Sequence, residues 1–279
     1  MTATQRAKPA LNPDKFANEI RRLVLLESKR AGVGHIGSSL SIAEIVALLY
    51  SSVLNIKSPN DPERDRFILS KGHAVLALYA ALHLKGFITR DELGTFCDDG
   101  TNLCGHPEIE VPGIDFATGS LGMGLSFGVG SALAAKRTNS SRKVYVLVSD
   151  AELNEGALWE SVLFAGHHKL SNIVVFVDQN GQQALGYTKD VLDTSSVEKK
   201  FSAFNWDAQV VDGHDCNAMA DALTKLNYES GAPHVLIART TFGKGVSYME
   251  NQIQWHYLPM SDEQFQQAMS ETDAAEAGL

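Results

Sequence analysis

Hydrophobic and polar positions alternate along this chain with two different periods. Phe16, Ile20, Leu23 and Val24 recur at helical spacing, which predicts a helix from Pro13 and Asp14 to just before Gly32. Ser41 and Glu44 read as a capping box in front of the apolar run Ile45 to Leu49. Phe67-Ile68-Leu69 is a short buried strand candidate, Ala74 to Leu84 a helix closed by Gly86, and Thr89 with Glu92 the cap of another helix. Five glycines fall between Gly119 and Gly130, and from Leu125 onward that stretch reads as a helix held close to a neighbour. The pattern then changes. Val144 to Val148 and Ile173 to Val177 are continuous apolar runs of strand length, as strands buried on both faces require. The stretch from Glu155 to Lys169 between them is helical, and strand–helix–strand order predicts parallel neighbours. Ala208 to Val211 and Val235 to Ala238 are further strands, with a helix near Asn217 to Tyr228 between them and a last helix from Ser261. The expected fold is α/β, a three-layer, doubly wound, mostly parallel sheet. It forms a single domain over residues 13–269, between an N-terminal tail (1–12) and a disordered polar tail (270–279).

Charge narrows the partners. With 24 basic and 33 acidic residues the net charge is 24 − 33 = −9, which argues against nucleic acid and anionic membranes. A phosphate can still bind locally through backbone N–H groups, histidines or a metal. The odd number of cysteines, three without a CxxC, argues against a disulfide scaffold. Met1 to Pro13 lacks the apolar core of a signal peptide, so a cytoplasmic protein is expected.

Candidate chemistry lies at two strand ends. In open parallel sheets ligands bind beyond the carboxyl ends of the strands. The first strand here ends Ser149-Asp150-Ala151-Glu152, the second Asp178-Gln179-Asn180-Gly181. A carboxylate and an amide oxygen brought together there suit a hard divalent ion such as Mg²⁺. Asp and Asn are equally ordinary turn residues, so residue type alone leaves both readings open.

The thirty-position spacing of Asp150 and Asn180 across one strand–helix–strand unit resembles the thiamine diphosphate signature, and the stretch from Ser149 to Glu160 resembles its transketolase version. The likeness runs over nearly the whole chain. Gly34-His35-Ile36-Gly37, Ser70-Lys71-Gly72-His73 and Gly105-His106-Pro107-Glu108 are similar to the three histidine loops of the transketolase family. Thr118 to Gly124 resembles its cofactor-covering glycine loop, and Trp255-His256-Tyr257 its last histidine.

The resemblance implies a residue-by-residue assignment. Asp150 and Asn180 would hold Mg²⁺ (or Ca²⁺ or Mn²⁺) by side-chain oxygens and Gln182 by its backbone carbonyl. Ala151 would offer its N–H, and His73 and His256 their ring N–H groups, to the diphosphate. His35 and His106 would face substrate hydroxyls, completing a catalytic set of His35, His73, His106 and His256. Gly119, Ser120 and Leu121 would wall the cofactor, and Glu155 would lie at a subunit interface linking two sites. Met123 stands where such sequences often carry Gln, as a packing residue or a cofactor contact. Glu152 and Glu160 read as helix-face charges favoured near a helix N-terminus.

Ser149 and Ala151 replace the usual glycines beside Asp150. An ordinary φ at Ala151 would leave its N–H available, whereas a positive φ would strain it. Transketolases are more than twice this length, with a pyrimidine-binding domain that supplies the cofactor-activating glutamate and a C-terminal domain. The resemblance therefore implies a partner chain carrying both, in an α2β2 assembly that moves a two-carbon ketol unit from a ketose phosphate to an aldose. Ordinary pentose and hexose phosphates are the default substrates, and a specialised branched, sulfonated or deoxy sugar is equally compatible. The alternatives are a deoxyxylulose-phosphate-synthase-like enzyme, the E1 chain of a ketoacid dehydrogenase, which the four histidines disfavour, and a non-catalytic regulatory subunit.

Overall fold

The structure, a computed structural model, describes residues 12–279. All but the last residue of the N-terminal tail expected at 1–12 lies outside the described residues. Five strands form the main sheet: β1 (Arg66–Leu69), β2 (Val144–Ser149), β3 (Ile173–Gln179), β6 (Asp207–Asp212) and β7 (His234–Arg239). A small antiparallel hairpin, β4 (Gln182–Gln183) and β5 (Gly186–Tyr187), follows β3 directly. The sheet order is β1-β2-β3-β7-β6 and every pairing in it is parallel.

Helices α1 (Pro13–Ala31), α2 (Ile36–Ser41), α3 (Ala43–Leu48), α4 (Val75–Leu84) and α5 (Arg90–Leu93) precede β2 or lie around β1. Then come α6 (Met123–Arg137), α7 (Gly156–His167), α8 (Thr188–Val191), α9 (Val197–Ala203), α10 (Cys216–Thr224) and α11 (Asp262–Glu276). Strand periodicity divides the core in two. Phe67, Tyr145, Leu147, Val174, Phe176 and Leu236 point into one cluster with α1, α3, α4 and α10. Ile68, Val146, Val148, Val175, Val177 and Ile237 point the other way, into a cluster with α6, α7 and α9. Two helical layers around one parallel sheet are the expected three-layer architecture.

Local signals explain most boundaries. Asn12 caps α1 by accepting from Asp14 N at 2.8 Å, Pro13 opens it, and Gly32 closes it at φ 64°. Thr89 and Ser261 each form a capping box. Helix α6 packs close to the sheet because Gly128 lacks a side chain: a Cβ there would lie 2.5 Å from Val146 Cγ2.

Two expectations need correction. Ser41 and Glu44 form no capping box. Helix α3 starts from Ile42 without a side-chain cap, Ser41 Oγ donates to Asp178 Oδ2 at 2.8 Å, and Glu44 binds Arg21 and His214. Burial pushes the Glu44 carboxyl up, but those two partners outweigh it and hold it at about 2. Tertiary partners took both side chains. Nor does order stop at residue 269. Helix α11 continues to Glu276, with Ala268 and Thr272 buried and Phe265 and Met269 against the core, and Thr272 O accepts from Asn18 Nδ2 at 3.2 Å. The small polar composition of 270–279 hid this one-sided stripe.

Candidate active site

Asp150 and Asn180 leave adjacent strands at the same level, since Ser149 pairs in register with Asp178. Asp150 is only 2 % exposed and its Oδ2 accepts from Gly181 N at 2.6 Å. Burial, joined by the like charge of Asp178, pushes the Asp150 carboxyl up to about 7. Asn180 Nδ2 donates to Asp178 Oδ2 at 2.9 Å and Asn180 Oδ1 accepts from Gln182 N at 2.9 Å. Asp178 is fully buried and well satisfied. Lys71 Nζ (2.5 Å), Ser41 and Asn180 donate to Oδ2, and Thr240 Oγ1 to Oδ1. Its charge is matched by Lys71, itself 1 % exposed, whereas Asp150 forms no such ion pair.

Asp150 sits at φ −52°, ψ −43°, and Ala151 opens a short 3-10 turn without a positive φ. The departure at Ala151 therefore costs no backbone strain, and an L-residue is tolerated where the family carries glycine. Asp150 thus offers an uncompensated buried carboxylate beside the amide oxygen of Asn180 and the Gln182 main chain. This all-oxygen donor set suits a hard divalent ion. Among the described residues no group of three or more His, Cys, Asp and Glu side chains is arranged for a metal.

Three histidines converge beside this corner. Ring centroids of His35 and His256 are 5.1 Å apart, of His73 and His256 5.3 Å, and of His35 and His73 5.4 Å. Three separate loops are brought together for this. His35 N donates to His256 O at 3.2 Å, which demands a side chain of zero size next door: a Cβ on Gly34 would lie 2.4 Å from Tyr257 O. His35 itself adopts φ 59°, uncommon outside glycine and a mark of a constrained site. His73 Nε2 meets Ser38 Oγ at 3.1 Å. His106 completes the group against Gly119, whose added Cβ would lie 3.1 Å from His106 Cδ2. Burial above all, then the neighbouring histidines and Lys71, hold His35 below its ordinary value, His73 well below it and His256 at about 4. These three rings are neutral at pH 7.

His35, His73, His106, Gly119, Leu121, Ala151, Asn180, Gln182 and His256 all line one cavity of about 190 Å³. Asp150 lies just beneath it, lining the adjoining space with Asn180. Ser120 and Glu155 do not line this cavity. Both are exposed, and Met123, also outside this lining, is 49 % exposed.

Glu152 departs from its expected place. It is fully buried, not a helix-face charge: Oε1 accepts from Ser70 Oγ and from Gly122 N (2.9 Å), and Oε2 from Ser149 N (2.9 Å). It ties the second histidine loop, the glycine loop and the Asp150 turn together. Ser149, in place of a glycine, joins the same knot. Glu152→Ala leaves three donors without their partner, each costing about 1–3 kcal/mol when buried. Chemical denaturation should show a loss of about 3 kcal/mol or more. An unchanged midpoint would remove Glu152 from this role. No sequence signal short of the loop pairing itself could have found Glu152, Lys71 or Asp178 in these roles.

Known proteins resemble this chain over most of its length. The family model described as transketolase, thiamine diphosphate binding domain, matches residues 13–274. The chain is 41% identical over 253 residues to one of the named subunits of apulose-4-phosphate transketolase from Phocaeicola vulgatus, covering 90% of each chain. It is 39% identical over 260 residues to 6-deoxy-6-sulfo-D-fructose transketolase subunit SqwG of a Clostridium species, covering 92% of this chain and 94% of that one. Its fold superposes on crystalline transketolase from Campylobacter jejuni with a TM-score of 0.87 at 30% identity. That alignment covers 95% of this chain but 45% of the other, so the chain spans less than half of that enzyme's length.

Proposed function

The chain belongs to the transketolase family, as its thiamine-diphosphate-binding domain, and we propose that it serves as one subunit of a two-chain transketolase. The observation that carries this reading is the joining of a buried strand-end carboxylate, Asp150, to a cluster of neutral histidines through Asn180, which lines both the histidine cavity and the space that Asp150 lines. Asp150, Asn180 and the Gln182 carbonyl would hold Mg²⁺ or a similar ion. The Ala151 N–H, His73 and His256 would bind the diphosphate. When bound, thiamine diphosphate supplies the carbanion chemistry that lets a two-carbon unit leave a ketose and join an aldose. His35 and His106 would accept and return protons at substrate hydroxyls through their ring nitrogens, a task imidazole suits. Gly119 and Leu121 would press on the cofactor, and Ser120 would extend that wall from the rim.

One observation of the site supports a partner chain: no carboxylate lines the cavity among the described residues, so the activating glutamate that the family uses would come from a second chain. Relatives named as separate subunits match over nearly their whole length, which favours a pyrimidine-domain chain as the completing partner, in an α2β2 assembly with Glu155 at an interface. Those relatives are named for apulose-4-phosphate and a sulfo-sugar, which favours the specialised sugars already expected beside common pentose and hexose phosphates.

A transfer assay tests the activity. With its partner, cofactor and Mg²⁺, the enzyme should consume a ketose phosphate only when an aldose is present and release no CO2. CO2 release from pyruvate would instead assign the deoxyxylulose-phosphate-synthase-like reaction.

A further inference from the structure

The side chain of Gln182 has no role in the reading above, which uses only its main chain. It is 7 % exposed and lines the cofactor cavity, yet neither Nε2 nor Oε1 has a hydrogen-bond partner. A buried amide with both ends unmet carries the full desolvation penalty of a donor and an acceptor. Such groups persist in native proteins where a ligand, ion or water completes them. The backbone fixes where that ligand must be. Gln182 N donates to Asn180 Oδ1, so the residue is tethered to the metal-binding loop, and β4 holds it across from Tyr187. Its neighbour Gln183 differs, because Gln183 Oε1 accepts from Asn154 Nδ2 at 3.1 Å and one end is already used. Gln182 therefore carries one unmet donor and one unmet acceptor in the lining of this cavity, on a residue bonded through its backbone to Asn180.

We propose that the Gln182 carboxamide binds the metal–diphosphate unit of the cofactor, Nε2 donating to a diphosphate oxygen and Oε1 accepting from a water on the divalent ion. This rests on the functional reading above. A diphosphate oxygen offers only acceptor capacity, while a hard ion such as Mg²⁺ keeps waters whose protons need acceptors. Together they meet both ends of the amide. A diphosphate alone would meet only Nε2.

The test uses Gln182→Met, which keeps length and apolar stem and removes both polar atoms, in the full chain assembled with its partner. Calorimetric titration with thiamine diphosphate in saturating Mg²⁺ should show a dissociation constant raised about tenfold. Without cofactor the melting temperature of the variant should be unchanged or about 2–4 °C higher, because two unmet buried atoms are gone. Gln182→Glu, equal in shape but anionic and without the donor, should weaken binding further. That pairing of weaker binding with undiminished stability is one that a merely structural role cannot produce. Wild-type affinity in both variants overturns the proposal. So does a raised KM for the ketose with unchanged cofactor affinity, which would assign the amide to substrate. A lower melting temperature without cofactor in both variants would make Gln182 structural and overturn it too. Failure of the wild-type complex to bind thiamine diphosphate would sink the functional reading itself, a result distinguishable from all of these.

Discussion

Asp150→Ala should weaken Mg²⁺-dependent binding of thiamine diphosphate by about 100-fold or more, equivalent to about 2.7 kcal/mol. Asp150 is a buried carboxylate without an ion-pair partner, because Lys71 pairs with Asp178, and the Gly181 N–H and the more distant Lys71 charge do not outweigh its burial. Removing it takes away the anionic ligand and leaves only neutral oxygens for the ion. The fold should survive: the lost bond from Gly181 N is offset by removal of a charge that burial disfavours. The same carboxyl fixes a pH dependence. Its folded-state value, about 7, lies above its ordinary one, so the metal-free fold binds an extra proton between about pH 4 and 7. Metal-free stability therefore falls as pH rises through that window. An ion held by Asp150 would have to displace this proton, so its affinity should climb by up to about tenfold per pH unit below 7 and level off above. Calorimetry at pH 6 and 8, corrected for the cofactor's own titration, checks the slope. A flat profile would remove Asp150 from the ligand set.

Asp178→Ala should cost about 3–5 kcal/mol of stability, the usual penalty for stranding one member of a buried ion pair. Lys71 Nζ would keep only Ser38 O, at 3.2 Å, as a partner, and Ser41, Asn180 and Thr240 would each lose an acceptor. For a chain of this size the melting temperature should fall by about 10 °C. Removing Lys71 as well, as Lys71→Met, should restore part of the loss, because the stranded charge goes with it. A double-mutant cycle reads this as a coupling above about 1 kcal/mol. Additive losses would show that the pair is not a coupled unit. Cofactor affinity should stay low in the double variant, since the Asn180 amide has lost the carboxylate that orients it.

The elements of this fold were legible because their signals are local. Val144 to Val148 and Ile173 to Val177 announced buried parallel strands, and Gly32, Thr89 and Ser261 marked helix ends. The strand-end pair Asp150 and Asn180 was legible for the same reason, since one strand–helix–strand unit carries both. Assignments that depend on contacts distant in sequence were not. Ser41 and Glu44 had the spacing of a capping box, but Asp178, 137 positions away from Ser41, and Arg21 and His214 claimed their side chains. Glu152 had the spacing of a helix-terminal charge, but Ser70, 82 positions away, and Gly122 drew it inside. Thr272 lay in a stretch whose composition resembled a tail, while its spacing from Ala268 placed both against α1. Local spacing states what a side chain can do, and packing decides which of its options is taken.

If this chain supplies the metal and diphosphate half of an active site, a second chain must supply the rest. The rate of two-carbon transfer from a ketose phosphate to an aldose decides this. It should be measured for the purified chain, for a pyrimidine-domain partner, and for the two together, each with saturating thiamine diphosphate and Mg²⁺. Neither chain alone should turn over, and the mixture should do so fully, with activity saturating as the chains reach equal amounts. Full turnover by this chain in isolation would contradict the divided site.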